Sequence, residues 1–94
     1  MKHLDWNEGK NLLLKELREV SFDDVQIAIE TGRVLDDIEN PNKKRYSNQR
    51  ILVVEIERYA YYVPYVEDED KIFLKTIFPS RRATKKYLHG GEKK

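Results

Sequence analysis

The sequence predicts a single α+β domain over residues 1–94: two N-terminal helices, an antiparallel sheet meander and a short basic C-terminal helix. Three observations lead there. Apolar residues recur at helical spacing before Gly32 and at strand spacing after it. Strand-like runs beyond Arg50 are separated by short polar gaps, Glu57-Arg58 and Asp68-Glu69-Asp70, which only antiparallel hairpins bridge. Ninety-four residues, 39% hydrophobic and 37% charged, suffice for one modest core. A functional site is therefore expected in a surface groove rather than in a deep cavity.

Leu13, Leu17 and Val20 recur at helical spacing with Leu14 beside them. Lys10, Lys15, Glu16 and Glu19 fall on the other side, giving a first helix near 7–19. Ser21 begins a second near 21–31, because its hydroxyl can take an orphan N–H and Asp24 sits where a capping box needs a carboxylate. Phe22, Val25 and Ile29 form its buried stripe, and Gly32 stops it. A short strand is expected at 33–38, then a polar loop through Asn40-Pro41-Asn42, then strands near 50–56, 59–66 and 72–78. Pro64 cannot donate to a ladder and is out of place in a middle strand. A bulge is expected there, of the kind that re-aims side chains near active sites. Ser80 caps a basic helix from about Arg81, which Gly90-Gly91 ends.

The overall charge of +1 hides an uneven distribution. Residues 71–94 hold eight Lys/Arg and one Glu, net +7, while the ten basic and sixteen acidic residues of 1–70 leave −6. A basic terminus on a small domain points to a polyanion or an acidic partner; the plain alternative is a solvated last helix. With no cysteine there is neither a disulfide framework nor a thiolate metal site, which fits a reducing cytosol. Met1 leads directly into charged residues and no apolar run approaches spanning length, so a cytoplasmic protein without a membrane partner is expected. His3 and His89 stand near opposite termini with no cluster at ligand spacing, so no metal and no other cofactor is expected.

Two segments carry a resemblance. One is Leu4-Asp5-Trp6-Asn7-Glu8-Gly9-Lys10, with Ser21-Phe22 a helix-length further on; the stronger is Ser80-Arg81-Arg82-Ala83-Thr84-Lys85-Lys86. They resemble the BrnT family of toxins, within the RelE/ParE superfamily of toxin–antitoxin modules. That family opens on an aromatic-acidic-Trp-Asp run followed by Lys, starts its second helix with Ser-Phe, and carries a small-Arg-basic-Ala-Thr-basic-basic signature near its end. The resemblance covers nearly the whole chain. It implies a RelE-like fold and a metal-independent endoribonuclease that inhibits translation. The partners it implies are RNA, free or ribosome-bound, and a cognate antitoxin with a ribbon-helix-helix DNA-binding end, so that DNA is reached only through the antitoxin. Three positions depart from the family pattern. Many relatives have Lys-His-Gly where this chain has Leu17-Arg18-Glu19, a His where it has Tyr65, and a Glu where it has Tyr87. Each departure removes a candidate proton carrier.

RNA cleavage without a metal needs a base for the 2′-hydroxyl, cations for the pentavalent phosphate and an acid for the leaving oxygen. Arg81 or Arg82 is expected at the phosphate, since a guanidinium fork holds two phosphate oxygens and a helix N-terminus beside it adds a favourable dipole. The competing reading pairs one of them with an acid on the sheet. Lys75 interrupts an apolar strand beside Phe73 and Ile77. It is either an RNA contact or an edge lysine that blocks aggregation. Lys85 and Lys86 suit steering of RNA or antitoxin better than catalysis. Tyr65 and Glu67 share one strand face, and a bulge turning that face toward the basic helix would make Glu67 a base and Tyr65 a proton donor or base platform. Otherwise Glu67 opens the acidic turn, and Tyr59, Tyr61 and Tyr65 cover sheet surface. Tyr61 and Tyr62 point to opposite faces, and Trp6 reads as a core anchor. Two classes of function follow: a nuclease toxin, or a non-catalytic module of the same fold that binds an antitoxin or a macromolecular target through its basic helix.

Overall fold

Local side-chain chemistry starts both N-terminal helices. Asn7 accepts the Lys10 N–H at 2.9 Å and opens α1 (Glu8–Arg18). The chain leaves α1 through Glu19, which turns left-handed (φ 59°) and returns its N–H to the Lys15 carbonyl. The expected capping box then forms. Ser21 Oγ accepts from the Asp24 N–H at 3.2 Å and the Asp24 carboxylate from the Ser21 N–H at 2.9 Å, opening α2 (Phe22–Glu30). Gly32, at φ 77°, follows as the expected stop. The computed structural model describes residues 2–89, so the expected helix end at Gly90-Gly91 lies outside the described residues.

The buried stripe of α1 differs from the one its hydropathy suggests. Leu14 and Val20 are buried, whereas Leu13 and Leu17 are 48% and 70% exposed. The rotation of the helix is set by Asn11. This buried amide accepts the Phe22 N–H at 2.7 Å and donates to the carboxylates of Glu8 and Asp23. Asn11, Leu14 and Arg18 share the inward face, and Arg18 reaches the Ile77 carbonyl at 2.8 Å. A buried polar group left unpaired would cost about 1–3 kcal/mol, enough to decide which leucine faces the core.

Four strands make the expected antiparallel meander: β2 (Val34–Glu39), β3 (Gln49–Ile56), β4 (Tyr59–Glu67) and β5 (Lys71–Leu74). An unexpected strand, β1 (His3–Trp6), pairs parallel with β5, giving the order β1-β5-β4-β3-β2. The expected strand at 72–78 is broken. Residues 75–77 separate β5 from β6 (Phe78–Pro79), which pairs with β4 further along. Pro64 is the physical reason. It sits opposite Ile51 in unbroken register with β3, so the expected bulge is absent from that pairing. Its carbonyl faces the other neighbour, accepting the Lys75 N–H at 2.8 Å, and the ladder fails on the side where its own donor is missing. On that side the β4 partners step from Leu74 opposite Tyr65 to Phe78 opposite Tyr62, one residue more than an even ladder allows, so the register shifts beside Pro64. A second irregularity lies in β2, between Val34 and Asp36.

The sheet has a core on each face. Under α1 and α2, Phe22, Val25, Val54, Val63, Leu74 and Ile77 are buried, with Trp6 stacked on Phe22 at 5.6 Å as the expected anchor. On the other face Val53, Ala60 and Ala83 are buried beneath Tyr62, Tyr87 and Leu88. The element supplying Ala83 is a single α-turn, α3 (Arg81–Ala83), which continues as a π-helical segment over Thr84–His89. The architecture is mixed α+β, and no described helix is long and apolar enough to cross a membrane.

Candidate functional site

The segment Ser80–Lys86 divides into an anchor and a display. Ser80 Oγ accepts the Ala83 N–H at 3.0 Å, while the Ser80 N–H bonds the Ala60 carbonyl of β4 at 3.0 Å. Thr84 is buried. Its hydroxyl accepts the Ala60 N–H at 2.9 Å and donates to the Ser80 carbonyl at 2.8 Å. Ala83 and Thr84 therefore fix the backbone to β4, and the residues on either side, Arg81, Arg82, Lys85 and Lys86, are exposed. Among the described residues none of these four cations forms an ion pair with a carboxylate, so the pairing of Arg81 or Arg82 with a sheet acid does not occur. The helix dipole expected beside Arg81 loses most of its basis, because one α-turn aligns few peptide units.

Tyr87 is a fastener. Its hydroxyl donates to the Asp36 carboxylate, tying the π-helical segment to β2. That bond pushes the hydroxyl up to about 12 and holds the Asp36 carboxyl below its usual range. Lys86 lies over the Tyr87 ring at 5.2 Å.

Lys75 opens onto the same sheet face. It is exposed, with Nζ 5.5 Å from the Phe73 ring. Ile77, its other expected neighbour, is instead fully buried in the helix-side core, because strand alternation stops at Leu74. Beside Lys75 runs a groove of about 470 Å³ floored by Ile51, Tyr62, Pro64 and Phe78, with Tyr46 from the β2–β3 loop on its wall. Among the described residues no acidic side chain lines it.

Tyr65 and Glu67 lie on the opposite face. Tyr65 packs with Val63 and Leu74 in the core under the helices, at 5% exposure. Its hydroxyl donates to Asp37 at 2.9 Å, and Arg50 Nε reaches the same carboxylate at 3.0 Å. Burial first, then the Asp37 bond, push the Tyr65 hydroxyl up to about 12. Glu67 pairs with Lys2 at 2.8 Å. The irregularity beside Pro64 falls in the β5–β6 segment and leaves β4 in even register with β3, so this face is not turned and the sheet stands between Tyr65 and Glu67 and the basic helix. The structure does not bring the four expected catalytic side chains together. The Tyr65 hydroxyl also already directs its proton to Asp37, away from the α3 face.

The sequence reading passed over the groove residues Tyr46 and Phe78. Tyr46 carried a signal, since it closes the run Lys43-Lys44-Arg45-Tyr46, an aromatic interleaved with cations. Phe78 carried none, because its 36% exposure follows from the break in the strand before it. No family model, no curated protein and no solved structure matches this chain.

Proposed function

We propose that this chain is the toxin of a type II toxin–antitoxin module, of BrnT type and RelE-like fold, and that it is a metal-independent endoribonuclease acting through its basic face. One observation carries the reading: Arg81, Arg82, Lys85 and Lys86 are presented outward from the buried Ala83-Thr84 anchor without carboxylate partners among the described residues. Cations neutralised by nearby acids gain little from a phosphate; unpaired ones release counterions when they meet RNA. As the 2′-hydroxyl gives its proton to water and its oxygen attacks the neighbouring phosphorus, the bond to the 5′-oxygen breaks and that oxygen takes a proton from water. The charge that grows on the non-bridging oxygens is where the Arg81 or Arg82 fork would hold them. Lys75, Lys85 and Lys86 would guide the strand. The neutralising partner is an antitoxin with an acidic segment, whose ribbon-helix-helix end supplies the contact with DNA.

A second reading is a non-catalytic module of the same fold, binding an antitoxin or a macromolecular target through the same helix. A specific observation favours it: Tyr65 and Glu67, the two proton carriers expected beside the arginines, are engaged with Asp37 and Lys2 across the sheet. RNA digestion with a chelator present, free and on ribosomes, separates the two. The nuclease reading expects cleavage by the wild type that falls on Arg81→Ala or Arg82→Ala. Intact RNA in both settings, from a protein that still arrests growth, leaves the binding module.

A further inference from the structure

We infer that the groove beside Lys75 is a nucleobase pocket, which takes one unpaired base of a single-stranded RNA while the strand's phosphates follow Lys75 and the cations of α3. The inference rests on the reading that the basic face meets RNA, and it adds a contact that phosphate attraction alone does not supply.

The groove has the composition that stacking requires. Its floor is apolar and partly aromatic, with Tyr62 and Phe78 edge to face at 5.6 Å and 84°, and Phe78 among the large apolar side chains left exposed. At about 470 Å³ it falls within the range of small-ligand sites. Tyr46 is held in place before any ligand arrives. Its N–H bonds the Asn42 carbonyl at 2.9 Å, and the Asn40 side chain accepts the Asn42 N–H at 2.9 Å, so the loop is a set of closed turns. The Arg45 guanidinium lies 5.4 Å from the Tyr46 ring centre, bringing a cation to that wall. Lys75 supplies another on the β5–β6 side, and among the described residues no carboxylate lines the groove.

That charge pattern selects among occupants. The pocket of about 480 Å³ on the other sheet face sets Glu67, Asp68 and Glu69 against Lys2 and Arg50, which are already paired with Glu67 and Asp37, so its net negative lining disfavours a polyanion. The groove on the α3 face sets Lys75 beside an apolar floor, with Arg45 against the Tyr46 ring, which matches a nucleotide's phosphate and base. An acidic peptide would use the cations and leave the aromatic floor without a planar partner.

The test measures binding of a labelled, 2′-O-methylated oligouridylate of about eight nucleotides, a length within the range a single small domain covers. Methylation removes the attacking hydroxyl, so the strand survives. An abasic strand of equal length and charge is measured beside it. The wild type should bind the base-bearing strand about tenfold more tightly, and Tyr46→Ala or Phe78→Ala should each erase about that factor while leaving the abasic strand unaffected. Lys75→Ala should weaken both strands alike and lower the salt slope by about one. Tyr46 is a partly exposed loop residue and Phe78, on the groove floor, is itself exposed and outside both cores, so neither variant should unfold the core. Equal affinity for the two strands, or no loss in both aromatic variants, overturns the pocket. Displacement of RNA by an oligoglutamate peptide whose own binding falls on Tyr46→Ala reassigns the groove to a protein partner and overturns it equally. Base-dependent binding together with uncut natural RNA refutes the nuclease and leaves the pocket standing. Cleavage together with equal binding of both strands does the reverse.

Discussion

On the helix side of the sheet Tyr65 and Arg50 bond to Asp37 and Glu67 to Lys2, while on the α3 side Lys75, Arg81, Arg82, Lys85 and Lys86 have no carboxylate partner among the described residues. Strand alternation is enough to keep the two arrangements apart. Asp36 and Asp37 are neighbours in β2, yet Asp36 fastens the basic segment through Tyr87 and Asp37 closes the helix side through Tyr65. The difference teaches that in a domain this small one face can be committed to stability and the other to contact. Aromatic residues one apart, such as Tyr61 and Tyr62, serve each.

The largest expected effect is on the helix side. Phe22 is fully buried against Trp6, so Phe22→Ala should cost roughly 3–5 kcal/mol by denaturant titration. Phe78→Ala on the exposed groove floor should cost far less, and a comparable loss from both would end the division of labour between the faces. Next comes chemistry. Arg81→Ala or Arg82→Ala should lower RNA cleavage on the order of 10²-fold with smaller effects on RNA affinity. Tyr65→Phe, across the sheet, should leave cleavage intact once stability is matched. A tenfold or greater loss of rate in Tyr65→Phe would put chemistry on the wrong face.

Association with an acidic antitoxin should slow as salt rises, and Lys85→Glu with Lys86→Glu should slow it further, as stopped-flow mixing at two ionic strengths would show. An on-rate indifferent to salt would move the interface to an apolar surface, of which exposed Leu13 and Leu17 on α1 are the obvious members. The smallest effect is in pH dependence. The hydroxyls of Tyr65 and Tyr87 are pushed up to about 12, above the ordinary value near 10. What their bonds contribute is therefore fully present below pH 10 and lost as pH rises toward about 12. Asp36 is shifted the opposite way, so its contribution holds above its ordinary titration range and is lost as pH falls through the lowered value. Tyrosinate absorbance should show a late-ionising set of phenols, to which burial also adds Tyr61, and Tyr65→Phe and Tyr87→Phe should each remove one from it.

Much of this was legible in the residues. The Ser21 capping box, the Gly32 stop, the three hairpin-linked strands and the Ser80 cap all rest on interactions within a few residues of the chain, and they formed where the side chains allowed. Pro64 disturbed a ladder as its missing N–H requires, but on the β5–β6 side, since the direction its carbonyl faces depends on which neighbour each edge of β4 receives. The cations of the basic helix were equally readable. That Ala83 and Thr84 between them are the anchor needed the position of Ala60.

By itself, then, the sequence determined the elements whose causes are local: caps, stops, hairpins and the +7 of the final stretch. The tertiary structure decided everything that joins distant residues. It placed β1 against β5 and let buried Asn11 choose the inward face of α1 over Leu13 and Leu17. It also set Tyr65 and Glu67 on the far side of the sheet from Arg81 and Arg82. The reason is physical. Period-2 alternation says that two residues share a face, but which element covers that face is fixed only when distant strands pair and buried polar groups find their partners.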